Sequence, residues 1–122
     1  NVGEIHPWTY DELIRLGYDN PMDYISIQSI QMVRIKSIID KYNITEISLL
    51  KLDAETWDIA ILNDFLDTVD ILPDVIQFEV YSAHSNYLKR LNDITKKITN
   101  LGYIVQYNDE LHSMICTKEN KY

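Results

Sequence analysis

The stretch that decides the fold runs from residue 47 to residue 55 and reads ISLLKLDAE. Its first part is short and mostly apolar, and Asp53 follows it, as expected for a buried strand of a parallel sheet that ends in a carboxylate. A second stretch of this kind, residues 75–81, reads VIQFEVY and carries Glu79 near its end. The two stretches therefore predict two buried strands that lead to acids at one edge of a sheet.

Helical patterns flank both strands. Apolar residues three and four positions apart predict a helix that starts at Ile35 and ends near Asn43. The same spacing predicts a helix over residues 54–67, with Trp57 on its buried face, and a third helix over residues 87–101. Strands that alternate with helices of this length indicate βαβ units with right-handed crossovers.

The last part of the chain favours a hairpin. Residues 103–107 and 111–117 read as strands, and the Asn-Asp-Glu sequence between them is typical of a tight connection. The expected fold is therefore α/β, with a mainly parallel sheet and one antiparallel strand from the hairpin. Only four main strands are predicted over residues 35–122, so we expect a single incomplete domain. Its open sheet edge would be covered by a missing N-terminal half or by a partner chain.

The preceding residues, 1–34, are the least regular segment. Thr9 and Glu12 have the spacing of a capping box, which predicts a short helix after Thr9. Gly17 suits the left-handed conformation that ends such a helix. Alternation of apolar and polar residues within 24–34 predicts short extended segments.

Composition narrows the function classes. With 11 Lys and Arg against 19 Asp and Glu, the net charge is −8. This charge disfavours nucleic acid or an anionic membrane as the main partner, because both require clustered basic residues. The single cysteine, Cys116, excludes an internal disulfide and a cysteine-based zinc site, and it favours a cytoplasmic setting.

Polar side chains converge on the edge at which the two acid-bearing strands end. Ligands of open parallel sheets bind beyond the carboxyl ends of the strands, so this edge is the candidate site. The residues that the two strands bring there are Lys51, Asp53, Glu55, Glu79, Tyr81 and His84. His84 would be a general base or a hydrogen-bond partner of a substrate.

These residues also have simpler explanations. Asp53 or Glu55 could cap the following helix and favour its positive N-terminal end. Glu79 could be an acid satisfied within its loop, and His84 a loop histidine without a role. A hard metal ion is compatible with the carboxylates, but nothing in their spacing requires one, and we predict no metal site.

The stretch from Gln31 to Cys116 resembles the second half of the FkbM-type methyltransferases. The strongest likeness is residues 33–40 followed by 47–55, where the family reads leucine-lysine-isoleucine-aspartate-x-glutamate-glycine. Residues 73–79 resemble the family's next strand with its terminal glutamate. Leu101-Gly102-Tyr103 resembles the start of its final hairpin.

The resemblance implies a partial class I Rossmann-type sheet and methyl transfer from S-adenosylmethionine, commonly to a hydroxyl of a small molecule or a glycan. Lys51, Asp53 and Glu55 would lie at the end of the fourth strand, and Glu79 at the end of the fifth. Thr56 stands where the family usually has glycine. The Gly-rich cofactor loop and the ribose-binding acid are absent, so the cofactor-binding residues are unknown.

Under this interpretation the candidate residues take two roles. The catalytic candidates, each able to take the proton of an acceptor hydroxyl, are Asp53, Glu55 and His84. The substrate-binding candidates are Lys51, Glu79 and Tyr81. The sequence does not choose among the three possible bases.

Two other functions remain open. A non-catalytic binding or assembly module, derived from a methyltransferase and pairing through the open sheet edge, would explain Thr56 and the missing loop. A metal-dependent hydrolase or nuclease using Asp53, Glu55 and Glu79 ranks last, because the acidic net charge disfavours nucleic acid.

Overall fold

The chain forms two compact units, Asn1–Val33 and Arg34–Tyr122. The computed structural model describes residues 7–26, 28–81 and 85–119. The sheet lies within the second unit, and so do all the residues that the sequence singles out as functional.

The sheet has four strands, β1 (Leu49–Leu52), β2 (Val75–Glu79), β3 (Tyr103–Asn108) and β4 (Ser113–Lys118). Their order is β1-β2-β4-β3. β1 and β2 are parallel, whereas β4 is antiparallel to both of its neighbours, so three strands run in one direction and β4 in the other. The α/β class is confirmed. The expected mainly parallel sheet is a mixed one, because β4 lies between β2 and β3 and leaves a single parallel pair.

The helices are α1 (Pro7–Arg15) in the first unit and α2 (Ile35–Lys41), α3 (Asp58–Thr68) and α4 (Ser85–Asn100) in the second. Ile76 and Phe78, two positions apart in β2, are fully buried on one face of the sheet. The helix residues in the same core are Ile59, Leu62, Leu91, Ile94 and Ile98. Each such burial contributes about 2 kcal/mol. β2 therefore lies in the core, which fixes the position of Glu79 at its end.

The segment after β1 differs from the prediction. A 3₁₀ turn, Glu55–Trp57, precedes α3, where the sequence suggested one helix over residues 54–67. A 3₁₀ turn has about three residues per turn instead of 3.6, so the buried face of α3 does not continue back to Trp57. Trp57 is 67% exposed. The prediction that it belongs to the core was wrong.

The end of α2 agrees with the sequence. Asn43 has a φ of 50°, and the N–H of Ile44 donates to the carbonyl of Ile39 at 3.0 Å. This arrangement is the left-handed end that asparagine tolerates after a helix. The predicted end near Asn43 is confirmed.

The first unit confirms one expectation and corrects another. Gly17 has a φ of 89° and, as predicted, ends α1 in the left-handed conformation. The capping box was wrong, because α1 begins at Pro7, which places Thr9 inside the helix, and Glu12 pairs with Arg15. Among the described residues of 24–34, none forms a strand, although the backbone of Ile25 and that of Arg34 are extended. Alternation yields a strand only where a neighbouring strand supplies hydrogen bonds.

Candidate active site

The register of β1 and β2 puts the two acids beside each other. Leu52 of β1 pairs with Phe78 of β2 at the end of the parallel ladder. Asp53 follows Leu52, and Glu79 follows Phe78. Asp53, just after β1, and Glu79, the last residue of β2, therefore lie at the same edge of the sheet, as the sequence predicted. We call this the carboxyl edge.

Tyr81 joins two carboxylates at the carboxyl edge. Its hydroxyl lies 2.8 Å from Oε2 of Glu79 and 3.1 Å from Oε2 of Glu55. Desolvation, followed by the hydrogen bonds to Glu79 and Glu55, raises the pKa of Tyr81 far above its usual range. The phenol therefore stays protonated, and its single proton is shared between two acceptors.

Asp58 is a buried acid that the sequence analysis missed. It is 2% exposed. Its Oδ1 accepts the N–H of Ala54 at 2.7 Å, and its Oδ2 accepts the N–H of Glu79 at 3.0 Å. A signal was present in the sequence, because positions 58, 62 and 65 share the buried face of α3. Asp58 thus connects the segment after β1 to the end of β2.

Tyr87 of α4 supports the backbone that carries Tyr81. Its hydroxyl accepts the N–H of Tyr81 at 3.1 Å and lies 3.4 Å from the carbonyl of Glu79. The two rings meet edge to face, with centroids 6.5 Å apart. Burial, the largest effect, raises the pKa of Tyr87, so this hydroxyl also keeps its proton.

A small pocket of about 160 Å³ opens beside these residues. The polar and apolar residues that line it are Lys51, Leu52, Asp53, Gln77, Glu79, Leu111 and Ser113. Three predicted site residues, Lys51, Asp53 and Glu79, thus share one pocket. Glu55 does not line this pocket, but the Tyr81 hydroxyl bonds to both Glu55 and Glu79. Leu111 and Ser113 come from the hairpin and were not predicted. His84 lies outside the described residues.

The comparisons with known proteins give one match. A family model of the methyltransferase FkbM domain matches residues 6–105. The chain belongs to this family. The resemblance seen from Gln31 is confirmed as far as residue 105, and the match extends further toward the N-terminus. No curated protein and no solved structure matches the chain.

In this FkbM chain, Asp53 and Glu55 do not act as helix caps. The residue before the 3₁₀ turn is Ala54, and the residue before α3 is Trp57; neither position has a side-chain cap hydrogen bond. Thr56 causes no strain here, because the residue of the turn with a positive φ is Glu55, at 54°. The capping part of the simpler explanation therefore does not hold, whereas Glu55 does lie in the first turn of the 3₁₀ helix, where a negative charge is favourable.

Two further observations concern this FkbM chain. Within residues 7–26, 28–81 and 85–119, no group of three His, Cys, Asp or Glu side chains is arranged to hold a metal ion. In that same part of the chain, no helix combines the length and the apolar character needed to cross a membrane.

Proposed function

We propose that this chain supplies the acceptor side of an S-adenosylmethionine-dependent O-methyltransferase with a Rossmann-like sheet. One observation carries the proposal: Asp53, Glu55 and Glu79 meet at the carboxyl edge, where open α/β sheets bind ligands. The family match makes methyl transfer the chemistry to expect at this edge. The acceptor we propose is a hydroxyl of a small molecule or a glycan.

The proposed roles follow from what each side chain already contacts. Asp53 is exposed beside the pocket, and no hydrogen bond ties its carboxylate to the rest of the described chain. It is the best placed to take the proton of the acceptor hydroxyl. Glu55 and Glu79 already accept from Tyr81, so their role is to bind and orient the acceptor. Lys51 lines the same pocket.

The described residues do not fit the cofactor itself. A nucleoside cofactor needs a close backbone approach, usually at a glycine-rich turn between a strand and a helix. The described glycines, Gly17 and Gly102, instead follow the ends of α1 and α4. The pocket of about 160 Å³ is also below the roughly 300–1,000 Å³ of ordinary ligand sites. We therefore propose that the cofactor-binding part lies outside these residues.

Calorimetric titration of S-adenosylhomocysteine tests this division. The titration is run on the isolated chain and on the protein as purified from its source, with any sequence and partners that accompany it. Binding only in the second sample is the expected result. Methyl transfer to a panel of small alcohols and glycans, followed by mass spectrometry, then identifies the acceptor. No binding and no transfer in the source protein would refute the proposal.

One observation favours a second candidate, a non-catalytic assembly module. β1 lies at the edge of the sheet, and its Leu49 is 53% exposed. An exposed edge with an apolar side chain can pair with another chain. Light scattering tests this: a concentration-dependent dimer that Leu49→Lys abolishes, without methyl transfer by the source protein, would favour the module. A monomer would exclude it.

We also propose a cytoplasmic setting with a small-molecule or glycan partner, and neither nucleic acid nor a membrane. Cys116, the single cysteine of the chain, is fully buried in the core. Burial raises the pKa of its thiol to about 11, so the reactive thiolate is scarce at neutral pH. Such a cysteine packs as a small apolar residue and has no need of an oxidising compartment.

A further inference from the structure

A second, buried layer lies under the carboxyl edge, and Asp58 is its centre. Each oxygen of this carboxylate accepts a backbone N–H from a different element, Ala54 after β1 and Glu79 at the end of β2. No lysine or arginine of the described chain forms an ion pair with it. A buried charge without a cation is costly, so its hydrogen bonds must hold it in place.

The contacts of Asp58 differ from those of an ordinary helix cap. A cap accepts N–H groups of its own helix, two or three positions later. Asp58 is the first residue of α3, yet the two N–H groups that it accepts belong to residues 54 and 79, outside α3. Its contacts therefore position two strand ends, whereas a cap would stabilise only the helix.

The strand ends that Asp58 holds carry the acids of the candidate site. Ala54 lies between Asp53 and Glu55, and Glu55 has a φ of 54°, a conformation that costs a residue with a side chain about 1–2 kcal/mol. Such strain persists only where neighbouring contacts fix the backbone. The bond from Ala54 to Asp58 is one such contact, and the bond from Trp57 N–H to the Ala54 carbonyl, at 3.1 Å, is another.

We infer that Asp58 is a positioning residue, whose buried carboxylate fixes Glu55 and Glu79 at the separation that the Tyr81 hydroxyl bridges. Through these two acids it sets the affinity for the methyl acceptor. The second statement rests on the proposed function; the first does not. Asparagine cannot replace Asp58, because each N–H group bonds to a different oxygen and one of the two oxygens would become an NH2 group, which only donates.

The first test needs no substitution. In protein labelled with ¹³C and ¹⁵N, scalar couplings across hydrogen bonds connect an amide nitrogen to the carbon of its acceptor group. We expect couplings from the amides of Ala54 and Glu79 to the carboxyl carbon of Asp58. Absence of both couplings overturns the inference.

The second test compares Asp58→Asn with two controls on α3. Asp64→Asn makes the same chemical change at a residue whose carboxylate pairs with the exposed Arg34 at 3.7 Å, and Leu62→Val weakens the core. In Asp58→Asn, amide exchange at Ala54 and Glu79 should accelerate at least about tenfold more than amide exchange at Ile76. Neither control should show this selective acceleration. A uniform acceleration, as in Leu62→Val, would mean a merely structural role.

Kinetics of the source protein test the second statement. Asp58→Asn should raise the KM for the acceptor about tenfold and change kcat less, because it disturbs acids that bind rather than react. Equal loss in both constants, or unchanged KM, overturns this part. If the unmodified protein transfers no methyl group, the proposed function fails, whereas the couplings and exchange data still decide the positioning role.

Discussion

The two ends of the sheet differ in how their polar groups are used. At the carboxyl edge the pocket holds about 160 Å³. At the opposite end, where β1 and β2 begin, a larger pocket of about 500 Å³ is lined by Thr45, Glu46, Ile47, Ser48, Asp70, Ile71, Leu72, Asp74 and Lys118. We call this opposite end the amino edge. The larger pocket is the one without predicted site residues.

The hydrogen bonds at the two edges explain why the larger pocket is not the candidate active site. At the amino edge, side chains donate to the backbone: Lys118 bonds to the carbonyl of Leu72 at 2.9 Å, and Tyr103 bonds to the carbonyl of Pro73. These bonds fasten chain segments. At the carboxyl edge, the Tyr81 hydroxyl bonds to the Glu79 carboxylate, beside the backbone bonds of Asp58 and Tyr87, and the acids Asp53 and Glu79 line the pocket. Preorganised functional groups, more than empty volume, mark a candidate active site.

The largest expected effect separates the two edges by activity. Asp53→Asn should lower methyl transfer by the source protein about 10²- to 10⁴-fold, because a general base is lost. Asp70→Asn makes the same change at the amino edge and should leave the rate within about twofold. Radiolabelled methyl transfer measures both. Equal losses in the two variants would break the comparison.

At the amino edge, we expect an effect on the stability of the fold at alkaline pH. Burial raises the pKa of Tyr103 from 10.0 to about 12. Between these values the unfolded chain loses this proton and the folded chain keeps it, so stability falls as pH rises from 10 to 12, by on the order of 2 kcal/mol. Urea unfolding at pH 8, 10 and 11.5 should show a smaller loss in Tyr103→Phe. If Tyr103→Phe loses as much stability between pH 8 and 11.5 as the unmodified protein, other titrating groups cause the loss.

Removing the Tyr81 hydroxyl at the carboxyl edge should have an intermediate effect on acceptor binding and on stability. Tyr81→Phe keeps the ring but leaves Glu55 and Glu79 without their shared donor. We expect the acceptor KM to rise about tenfold, equivalent to about 1.4 kcal/mol, and stability to fall by about 1 kcal/mol. Steady-state kinetics with Tyr103→Phe as control, which should keep its KM, would measure the difference. A normal KM in Tyr81→Phe contradicts the role of the bridge.

The smallest effect is expected at Trp57. Because this side chain is 67% exposed, Trp57→Ala should change the free energy of unfolding by about 0.5 kcal/mol or less. Phe65→Ala on α3 should cost about 3–5 kcal/mol, since Phe65 is 1% exposed. Thermal and urea unfolding of the pair provides the measurement. A large loss in Trp57→Ala would restore the sequence-based assignment of Trp57 to the core.

The sequence predicted those parts of the site that follow directly from strand patterns. Apolar runs followed by Asp53 and Glu79 are local signals, and parallel pairing brings their ends together. Local signals failed where geometry changed within a few residues, as in the 3₁₀ turn that exposes Trp57. The long-range bonds of Asp58 have no local pattern beyond a polar residue on an apolar face.

The hairpin shows a different limit. The sequence predicted a strand from Leu111, but β4 begins at Ser113, and His112 adopts a φ of 47°. Leu111 and Ser113 therefore line the pocket as part of a turn and a strand start, respectively. A shift of two residues lies within the ordinary uncertainty of strand boundaries, yet it decides which hairpin residues reach the site.

The position of β4 between β2 and β3 has a consequence for synthesis on the ribosome. Thr117 pairs with Val75, and β4 also pairs with β3. The pairings of β4 with β2 and with β3 therefore cannot form until residues 113–118 have left the exit tunnel. Until then β2 has one open edge and β3 has no partner in the described sheet. Contacts between residues so distant in sequence slow folding, and open strand edges invite aggregation meanwhile. A nascent chain stalled before Ser113 should therefore depend on chaperones far more than one released after Lys118.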